Sequence, residues 1–528
     1  MIGAGCMVAL ALVSCSDWDD HYGAVAGAEG SNLTLWQTMT QQSQLSDFCD
    51  VLEQTKVFRQ HRKTQTSYAD LLRGGQSFTV MAPVNGTFDK DALISLLQTA
   101  AGDSIVEKTF VLNHFSRTNM SDTPEEQEMR LANGKRISIG KGYVGNVAIG
   151  QSNLRTHNGT LHVMQGQVPY NLSLYESMTD LPQFAAFGAF LRGYEEDYFD
   201  ENSSLSSGMV DGVPVYVDSV IIERNRFLEK VALLNAEDST YLMVVPGADG
   251  WQKAIDEARS YFTYDETVEK RDSLREYWAH RGLMDDAVFS LTVQASPSDS
   301  LISPQYDRYE PEYHVFYHPF TTGILSNPAS ITECSNGTLY ETAEWPFTPA
   351  ETYFQVLRSE GEETSLITDY NQCTYNRRTL SADSISEGGY LDIIPSSGTA
   401  NWNMTVKVDN TLAGTYDICA IVLPKSVYTT VGADERPCKF KATINYVDEQ
   451  GAAKTFDCGN VTFTSNPLCV DTIVLARGFH FPACNFDQVN SKISVRLTCS
   501  ITARETRNYA REMYLDCIYL RPTTNEEE

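Results

Sequence analysis

The N-terminal part of the chain contains the segment Phe78-Thr79-Val80-Met81-Ala82-Pro83-Val84-Asn85-Gly86-Thr87-Phe88, which carries the strongest structural signal there. Its first four residues are apolar or β-branched, which predicts a buried strand. Pro83 ends this strand because proline has no backbone N–H to donate to a ladder. Asn85-Gly86 then favours a turn.

Two further segments complete the pattern. Downstream, Asn158-Gly159 stands between strand-like flanks and predicts a hairpin, and Val111-Leu112-Asn113-His114-Phe115 closes a helical stretch before it. Upstream, apolar residues at i, i+3, i+4 and i+7 predict one face of a helix; they are Leu45, Phe48, Cys49 and Leu52.

The same anchors recur in the same order further along the chain, which indicates an internal repeat. The second copy has longer gaps between anchors, and such insertions usually lie in loops. Its predicted helix carries Phe184, Phe187 and Leu191, with Pro182 suited to the helix start. The matching segments are 32–40 with 171–179, 78–83 with 241–246, and 158–161 with 336–339.

This set of anchors resembles the fasciclin domain. Residues 78–88 are similar to the family's first box, Leu112-Asn113-His114 to its histidine box, and 158–169 to its closing motif. The resemblance is specific for residues 32–170 and weaker for 171–350. In the second copy Pro246-Gly247-Ala248-Asp249-Gly250 replaces the first box, and Trp278-Ala279-His280 stands loosely for the histidine box.

The resemblance implies a compact α+β unit whose roles are adhesion and extracellular binding, without a shared catalytic site. Some animal members use a Tyr-His pair near the histidine box to bind receptors. Here that pair is Asn113-His114, so we expect His114 to serve packing and hydrogen bonding instead.

From about residue 351 apolar and polar residues alternate strictly, which predicts strands with one buried face. The alternation covers 404–408, 416–422, 440–446 and 493–499. Strands at this spacing predict an antiparallel sandwich. Segments 413–418 and 514–520 resemble strands of galactose-binding-like jelly rolls, which implies a sugar-binding or structural role.

The N-terminus resembles a targeting segment. A short apolar run leads into Leu12-Val13-Ser14-Cys15, which is similar to the bacterial lipobox. We therefore expect a lipoprotein signal peptide at 1–14, lipid attachment at Cys15 and a lipidated tether at 15–31. The alternative is a generic signal peptide with a chance cysteine. Residues 1–5 carry no Lys or Arg, which leaves open a translation start upstream of Met1.

The fold class expected from these features is multidomain, with two α+β fasciclin-like domains followed by an all-β, jelly-roll-like antiparallel sandwich. The expected domains are 32–170, 171–350 and 351–524. A chain of 528 residues exceeds what one hydrophobic core usually holds.

The composition excludes several classes of protein. With 69 acidic and 40 basic residues the net charge is -29, and such a surface repels phosphate backbones, so no nucleic-acid partner is expected. No run of 18 or more apolar residues occurs, so no spanning helix is predicted. Eight of the 12 cysteines lie between Cys373 and Cys517; both disulfides and buried thiols remain open for them.

No nucleophile elbow, zinc-protease helix, phosphate loop or dinucleotide motif occurs in the sequence. We therefore expect no enzyme, no catalytic residues, no cofactor and no metal. His314 and His318 would share one strand face, but no acidic partner of matching spacing accompanies them. The acidic segments 195–197 and 285–286 are interpreted as solvated loops and helix ends.

Two tryptophans are candidate sugar-stacking residues. Trp402 stands between Asn401 and Asn403, and Trp345 is the second candidate. The alternative for both is ordinary core or turn packing.

The leading hypothesis is a non-catalytic, surface-anchored binding lipoprotein of a Gram-negative outer membrane, facing the cell exterior. It would capture a glycan or assist an outer-membrane nutrient-uptake system. Its N-terminal lipid would anchor it to the membrane. The alternative is a cell-surface adhesin or matrix component that acts by protein–protein contact. An unrecognised hydrolase in 351–528 ranks third because no site for it is visible.

Overall fold

A computed structural model describes residues 32–59, 62–99, 101–210, 213–291, 300–307, 312–380, 385–427 and 434–523. The expected signal peptide 1–14, the tether 15–31 and the lipid-attachment residue Cys15 lie outside these ranges. In the part of the chain that is described, no helix has the length and apolar character needed to span a membrane.

The first unit combines short helices with a seven-stranded sheet in the order β4-β3-β9-β8-β7-β6-β5. Its helices are α1 (Leu35–Thr40), α2 (Ser46–Gln54), α3 (Tyr68–Arg73), α4 (Lys90–Leu96) and α5 (Gly102–Val106). Its strands are β1 (Lys56–Arg59), β2 (Arg62–Ser67), β3 (Phe78–Pro83), β4 (Phe115–Ser116), β5 (Gln127–Arg130), β6 (Arg136–Gly140), β7 (Tyr143–Val144), β8 (Val147–Thr156) and β9 (Gly159–Met164).

The sequence predictions for this unit are confirmed. The predicted apolar helix is α2, whose inward face is buried against the strands. Strand β3 ends at Pro83 and is buried along its whole length. The hairpin at Asn158-Gly159 joins β8 to β9. The sequence did not predict that β3 pairs in parallel with β9, from Phe78↔Gly159 to Pro83↔Met164.

A buried asparagine holds the centre of this unit. The Oδ1 atom of Asn158 accepts a hydrogen bond from the backbone N–H of Leu35 at 2.7 Å, at the start of α1. Its Nδ2 donates to the carbonyls of Leu72 and Gly74 at 3.0 and 2.8 Å, at the end of α3. Gly159 follows at φ 144°, where a Cβ atom would lie 1.9 Å from the Phe78 carbonyl oxygen. Only glycine fits this approach.

The second unit has a four-stranded sheet in the order β13-β12-β17-β16 and two separate two-stranded ribbons. Its helices are α6 (Leu174–Asp180), α7 (Ala185–Arg192), α8 (Leu228–Val231), α9 (Ala248–Tyr261) and α10 (Arg271–Met284). Its strands are β10 (Glu195–Val210), β11 (Val213–Asn225), β12 (Tyr241–Pro246), β13 (Val288–Ser290), β14 (Ser300–Asp307), β15 (Glu312–Tyr317), β16 (Ser330–Cys334) and β17 (Gly337–Thr342).

The contacts of the first unit recur in the second. Asn336 accepts from the N–H of Leu174 at 2.8 Å and donates to the carbonyls of Leu234 and Ala236 at 2.8 and 2.9 Å. Strand β12 pairs in parallel with β17, as β3 does with β9. A Cβ atom on Gly337 would lie 1.9 Å from the Tyr241 carbonyl oxygen.

The histidines of the two units also occupy similar surroundings. His114 is fully buried; its Nδ1 donates to the Phe110 carbonyl at 2.7 Å and its Nε2 accepts from the N–H of Val168 at 3.0 Å. Burial lowers the pKa of His114 to about 4. His280 bonds the Glu276 carbonyl at 2.8 Å and stacks on Phe190. The packing role expected for His114 is therefore confirmed.

A buried lysine joins the first unit to the second. The Nζ atom of Lys135, a side chain 5% exposed, lies 2.9 Å from Glu176, 3.0 Å from Glu237 and 2.9 Å from the Ser335 hydroxyl. Although burial raises the pKa of Glu176, its bonds from Lys108, Tyr170 and Lys135 lower it to about 2. The ion network therefore fixes the two units against each other.

The C-terminal third consists of two six-stranded antiparallel sheets, and the strands predicted from alternation are β22, β23, β24 and β28. One sheet follows the order β20-β21-β29-β23-β27 with β18 beside β29; the other follows β19-β22-β28-β24-β25 with β26 beside β24. The strands are β18 (Leu357–Glu360), β19 (Ile367–Asn371), β20 (Cys373–Thr379), β21 (Gly389–Pro395), β22 (Asn403–Lys407), β23 (Gly414–Leu423), β24 (Lys439–Val447), β25 (Ala453–Asp457), β26 (Phe463–Thr464), β27 (Asp471–Phe481), β28 (Ser494–Cys499) and β29 (Met513–Pro522).

The second unit and the sandwich share one hydrophobic core. Buried residues of α9, α10 and both sandwich sheets belong to a single contiguous cluster. Backbone bonds cross the junction, from Ala413 N–H to the Tyr261 carbonyl at 2.9 Å and from Cys484 N–H to the Thr263 carbonyl at 2.7 Å. Lys492 also pairs at 2.8 Å with Asp265, which is 2% exposed. The relative position of these two parts is therefore fixed by packing.

Three carboxyl groups lie buried at one end of the sandwich: Glu360, Glu362 and Asp516. Ser386 donates to Glu360 at 2.8 Å and to Asp516 at 3.2 Å. Burial is the main reason that the pKa values of Glu360 and Asp516 are both raised to about 7.

Replacing either hairpin asparagine with alanine removes three hydrogen bonds to backbone groups, two of them buried. We expect Asn158→Ala and Asn336→Ala each to lower the free energy of unfolding of their unit by about 3 kcal/mol. Urea denaturation measures the change. Asn371→Ala, at an exposed position of β19, serves as the matched control. We call these asparagine hydrogen bonds, at Asn158 and at Asn336, the asparagine clamp of each unit. A hairpin variant as stable as this control would contradict the stabilising role of the clamp.

The buried carboxyl groups make the stability depend on pH. An acid with a raised pKa holds its proton more tightly in the folded state, so its stabilising effect is present at low pH and is lost as the pH rises through about 7. We therefore expect Glu360→Gln and Asp516→Asn to be more stable than the parent chain above pH 7, by about 2 kcal/mol each.

Thermal unfolding at a series of pH values measures this effect, and the difference from the parent chain should shrink toward pH 4.5, the ordinary pKa of a glutamic acid. Glu449→Gln, at an exposed turn, is the control. Variants that lose stability equally at every pH would show that hydrogen bonding outweighs ionisation here.

Candidate functional site

Trp402 lies in the core of the sandwich, and this corrects the sequence-based expectation for it. Its side chain is 0% exposed, and its Nε1–H donates to the Arg511 carbonyl at 2.6 Å. A sugar ring cannot stack on a side chain without an exposed face. The flanking asparagines indicated an exposed turn, but the tryptophan directly precedes β22 and points inward.

Trp345 is half-buried at the edge of the second unit. Its ring packs against Phe347 and Trp251, with ring centroids 5.1 and 6.3 Å away. Part of the Trp345 ring remains exposed, so its role in stacking on a sugar stays a prediction.

The two histidines considered as half of a metal site do not share a strand face. Strand β15 ends at Tyr317, and His318 follows in a left-handed conformation at φ 50°. His314 instead contacts Asp286 and Gln355, each at 3.0 Å. Within the described ranges, no group of three or more His, Cys, Asp or Glu side chains is arranged to hold a metal ion.

A cleft lies where the second unit meets the sandwich, with a cavity volume of about 230 Å³. Aromatic rings and polar groups line it together, which is the usual composition of a small-molecule site. The aromatic residues are Phe262, Trp278, Tyr353, Tyr416 and Phe486, and the polar residues are Arg281, Asp285, Asp286, His314, Gln355 and Asn410.

Helix α10 supplies one wall of the cleft. Its buried side packs Ala279, Leu283 and Met284 into the shared core. Trp278 and Arg281 lie one turn apart on the helix, so both side chains reach the same opening. Asp285 caps the end of the helix, and the next residue, Asp286, is 1% exposed.

The opposite walls come from distant parts of the chain. His314 lies on β15, and Gln355 follows the turn at Pro349–Glu351, which leads into β18. Asn410 lies between β22 and β23, and Phe486 follows β27. The aromatic rings brace one another: the centroid of Phe486 lies 4.8 Å from Trp278 and 5.5 Å from Phe262. The cleft is therefore held open by packed rings.

A chain of hydrogen bonds orders the polar side of the cleft. Ser303 donates to Asp286 at 2.6 Å, and the ring of His314 lies between Asp286 and Gln355. Ring nitrogens held on both sides fix the orientation of the imidazole. The carboxamide of Gln355 therefore presents its remaining hydrogen-bonding capacity at a defined place.

Asp285 carries the most perturbed carboxyl group of the cleft. Burial raises its pKa to about 6, although the guanidinium of Arg281 favours the charged form. Arg281 donates to Asp285 through its Nε. The sequence analysis placed 285–286 on a solvated helix end. The prediction of a helix end is correct. The prediction that these carboxylates are solvated is wrong, because they face His314 of β15 and Gln355 across the cleft and Asp286 is buried against His314.

Sequence reasoning missed this cleft because its residues are remote from one another in the chain. One local signal was present: Arg281 and Asp285 have the i, i+4 spacing of a helical ion pair. No pattern in the sequence predicts that His314 and Gln355 lie opposite this pair.

Residues 43–166 match the model of the fasciclin domain. A search of the curated proteins found no match to the chain. The α+β unit at the N-terminus is therefore a fasciclin domain, and it is followed by a series of β-sheets.

Several solved structures are similar to parts of the chain. A FAS1 domain pair from the insect cell adhesion molecule Fasciclin I is 12% identical and covers 52% of this chain and 90% of its own, with a TM-score of 0.20. The CBM22-1 xylan-binding domain of Paenibacillus barcinonensis Xyn10C is 12% identical and covers 32% and 93%, with a TM-score of 0.21.

The CBM22-1–GH10 modules of Clostridium thermocellum xylanase 10B, complexed with xylohexaose, are 10% identical and cover 32% of this chain, with a TM-score of 0.22. The match spans only 29% of that xylanase chain.

Proposed function

We propose that this protein is a non-catalytic, surface-anchored binding protein that captures a glycan in the cleft between its second unit and its sandwich. The observation that carries the proposal is the cleft itself. Planar aromatic walls suit the apolar face of a sugar ring, and the polar groups beside them suit its hydroxyls. The cavity volume of about 230 Å³ suits a single sugar unit of a longer chain.

The polar groups of the cleft favour an uncharged ligand that is bound through hydrogen bonds. Arg281 is paired with Asp285, and His314 is held between Asp286 and Gln355. Charges that neutralise one another act as hydrogen-bond donors and acceptors toward hydroxyl groups.

We further propose that residues 171–350 form a second fasciclin-like unit and that the sandwich is jelly-roll-like. The repeated asparagine clamp and the repeated parallel strand pair support the first assignment. The two units would hold the sandwich away from the membrane. The anchor would be a lipid on Cys15, and the partners an outer-membrane uptake system; both rest on the sequence resemblance of residues 12–15 to a lipobox.

A glycan array tests the proposal, with the soluble chain 32–528 beside two cleft variants. We expect the parent chain to bind a defined set of glycans. Gln355→Ala removes a hydrogen-bonding amide and Asp285→Asn removes a charge without changing shape. Each should weaken binding about tenfold, because a lost hydrogen bond costs about 1.5 kcal/mol.

Matched controls come from exposed positions outside the cleft: Gln450→Ala and Asp369→Asn. These variants should bind as the parent chain does. Glycan binding that both cleft variants retain would place the site elsewhere, and an array without any specific binding would remove glycan capture.

The second candidate function is adhesion through protein contact, and the fasciclin match over residues 43–166 favours it. In that case the N-terminal unit is the contact surface. Loss of cell aggregation or surface attachment on deletion of 32–170, with the cleft variants unaffected, would select adhesion over glycan capture.

A further inference from the structure

Two cysteines meet on neighbouring strands of the sandwich. Cys438 directly precedes β24 and Cys499 ends β28, and these strands are paired in the register Phe440↔Cys499. The two side chains are 3% and 1% exposed. The thiol of Cys438 donates a hydrogen bond to the sulfur of Cys499. Among the ten described cysteines, no other two are joined in this way.

A buried arginine lies beside this pair without a carboxylate partner in the described structure. Arg511 is 7% exposed, and its guanidinium donates to the carbonyls of Gly398 and Ala400 at 3.1 and 3.3 Å. It also donates to the Asn401 side chain and the Ile501 carbonyl. Its Nη1 atom lies 3.7 Å from the sulfur of Cys499.

A buried positive charge requires a nearby negative charge. Among the described atoms to which Arg511 donates, only the sulfur of Cys499 can ionise; the others are neutral carbonyls and an amide. The hydrogen bond from Cys438 and the charge of Arg511 both lower the pKa of Cys499. The same hydrogen bond and burial raise the pKa of Cys438. With the guanidinium of Arg511 3.7 Å from its sulfur, Cys499 ionises more readily than Cys438.

A small surface depression is lined in part by Cys438. Its rim carries charged groups, and the residues around the cysteine are Lys425, Asp434, Arg436, Ser465 and Glu512. Its cavity volume is about 10 Å³, about the space that one water molecule needs, so an oxidant that enters it must be small.

We propose that Cys438 and Cys499 are a redox-active pair that a hydroperoxide converts into an intrachain disulfide. The thiolate of Cys499 attacks one oxygen of hydrogen peroxide; the O–O bond breaks, a sulfenic acid forms and hydroxide leaves. The sulfur of Cys438 then attacks the sulfenic sulfur. Its proton and the departing hydroxyl form water, and the S–S bond joins β24 to β28.

The test uses the full soluble chain, reduced first with dithiothreitol and then freed of it. Hydrogen peroxide is added, the remaining thiols are alkylated in denaturant, and the digest is analysed by mass spectrometry. We expect a peptide that links Cys438 to Cys499, formed about tenfold faster than oxidation of the buried Cys458, because thiolates react and thiols do not. Dithiothreitol should reverse the link.

Cys438→Ser removes the resolving thiol, so the reaction should stop at a sulfenic acid on Cys499 that dimedone traps. Cys458→Ser, which removes another buried cysteine, should leave the linked peptide unchanged. Recovery of Cys438 and Cys499 as two separate alkylated peptides, while the exposed Cys469 is oxidised, would overturn the proposal. A link from either residue to a different cysteine would overturn it as well.

Discussion

The side-chain amide of Asn158 is the interaction on which the N-terminal unit depends. It joins the first N–H of α1 to the carbonyls of Leu72, in the last turn of α3, and Gly74, directly after α3; the bonds to Leu35 and Leu72 are buried and satisfy backbone groups that water does not reach. The adjacent Gly159 lets β9 approach β3 closely enough to pair in parallel. The same arrangement at Asn336 and Gly337 organises the second unit. Because both clamps act on backbone atoms, the loops between the anchors are free to lengthen, as they do in the second copy.

The three parts of the chain are joined in two different ways, and this difference locates the cleft. The first unit meets the second through the ion network of Lys135, which is polar and specific in geometry. The second unit meets the sandwich through a continuous apolar core. The second kind of junction suits a cleft with rigid walls, since side chains packed in an apolar core hold their positions closely. Trp278 of α10 and Phe486 of the sandwich are such a pair of rings.

The sequence was sufficient to predict elements that depend on local periodicity. Helix α2, strand β3, the hairpin at Asn158 and the alternating strands of the sandwich all follow from neighbours within a few residues. The cleft could not be predicted in this way. Asp286 and His314 lie on different elements, and only the tertiary structure brings them within 3.0 Å. The prediction for Trp402 was wrong for the same reason: its local neighbours are polar, yet its indole N–H bonds a carbonyl more than a hundred residues away.

Trp402 instead belongs to a buried polar region that also holds the thiol pair. Its carbonyl accepts a hydrogen bond from the N–H of Cys499 at 2.8 Å, and its indole N–H donates to the carbonyl of Arg511. The guanidinium of Arg511 in turn lies 3.7 Å from the sulfur of Cys499. Trp402, Arg511 and Cys499 do not line the cleft. The sandwich therefore carries two separate chemistries. Its junction with the second unit holds the cleft, while its interior places the guanidinium of Arg511 beside the sulfur of Cys499. Since none of these three residues lines the cleft, the proposed change in the oxidation state of the cysteines need not alter what the cleft binds.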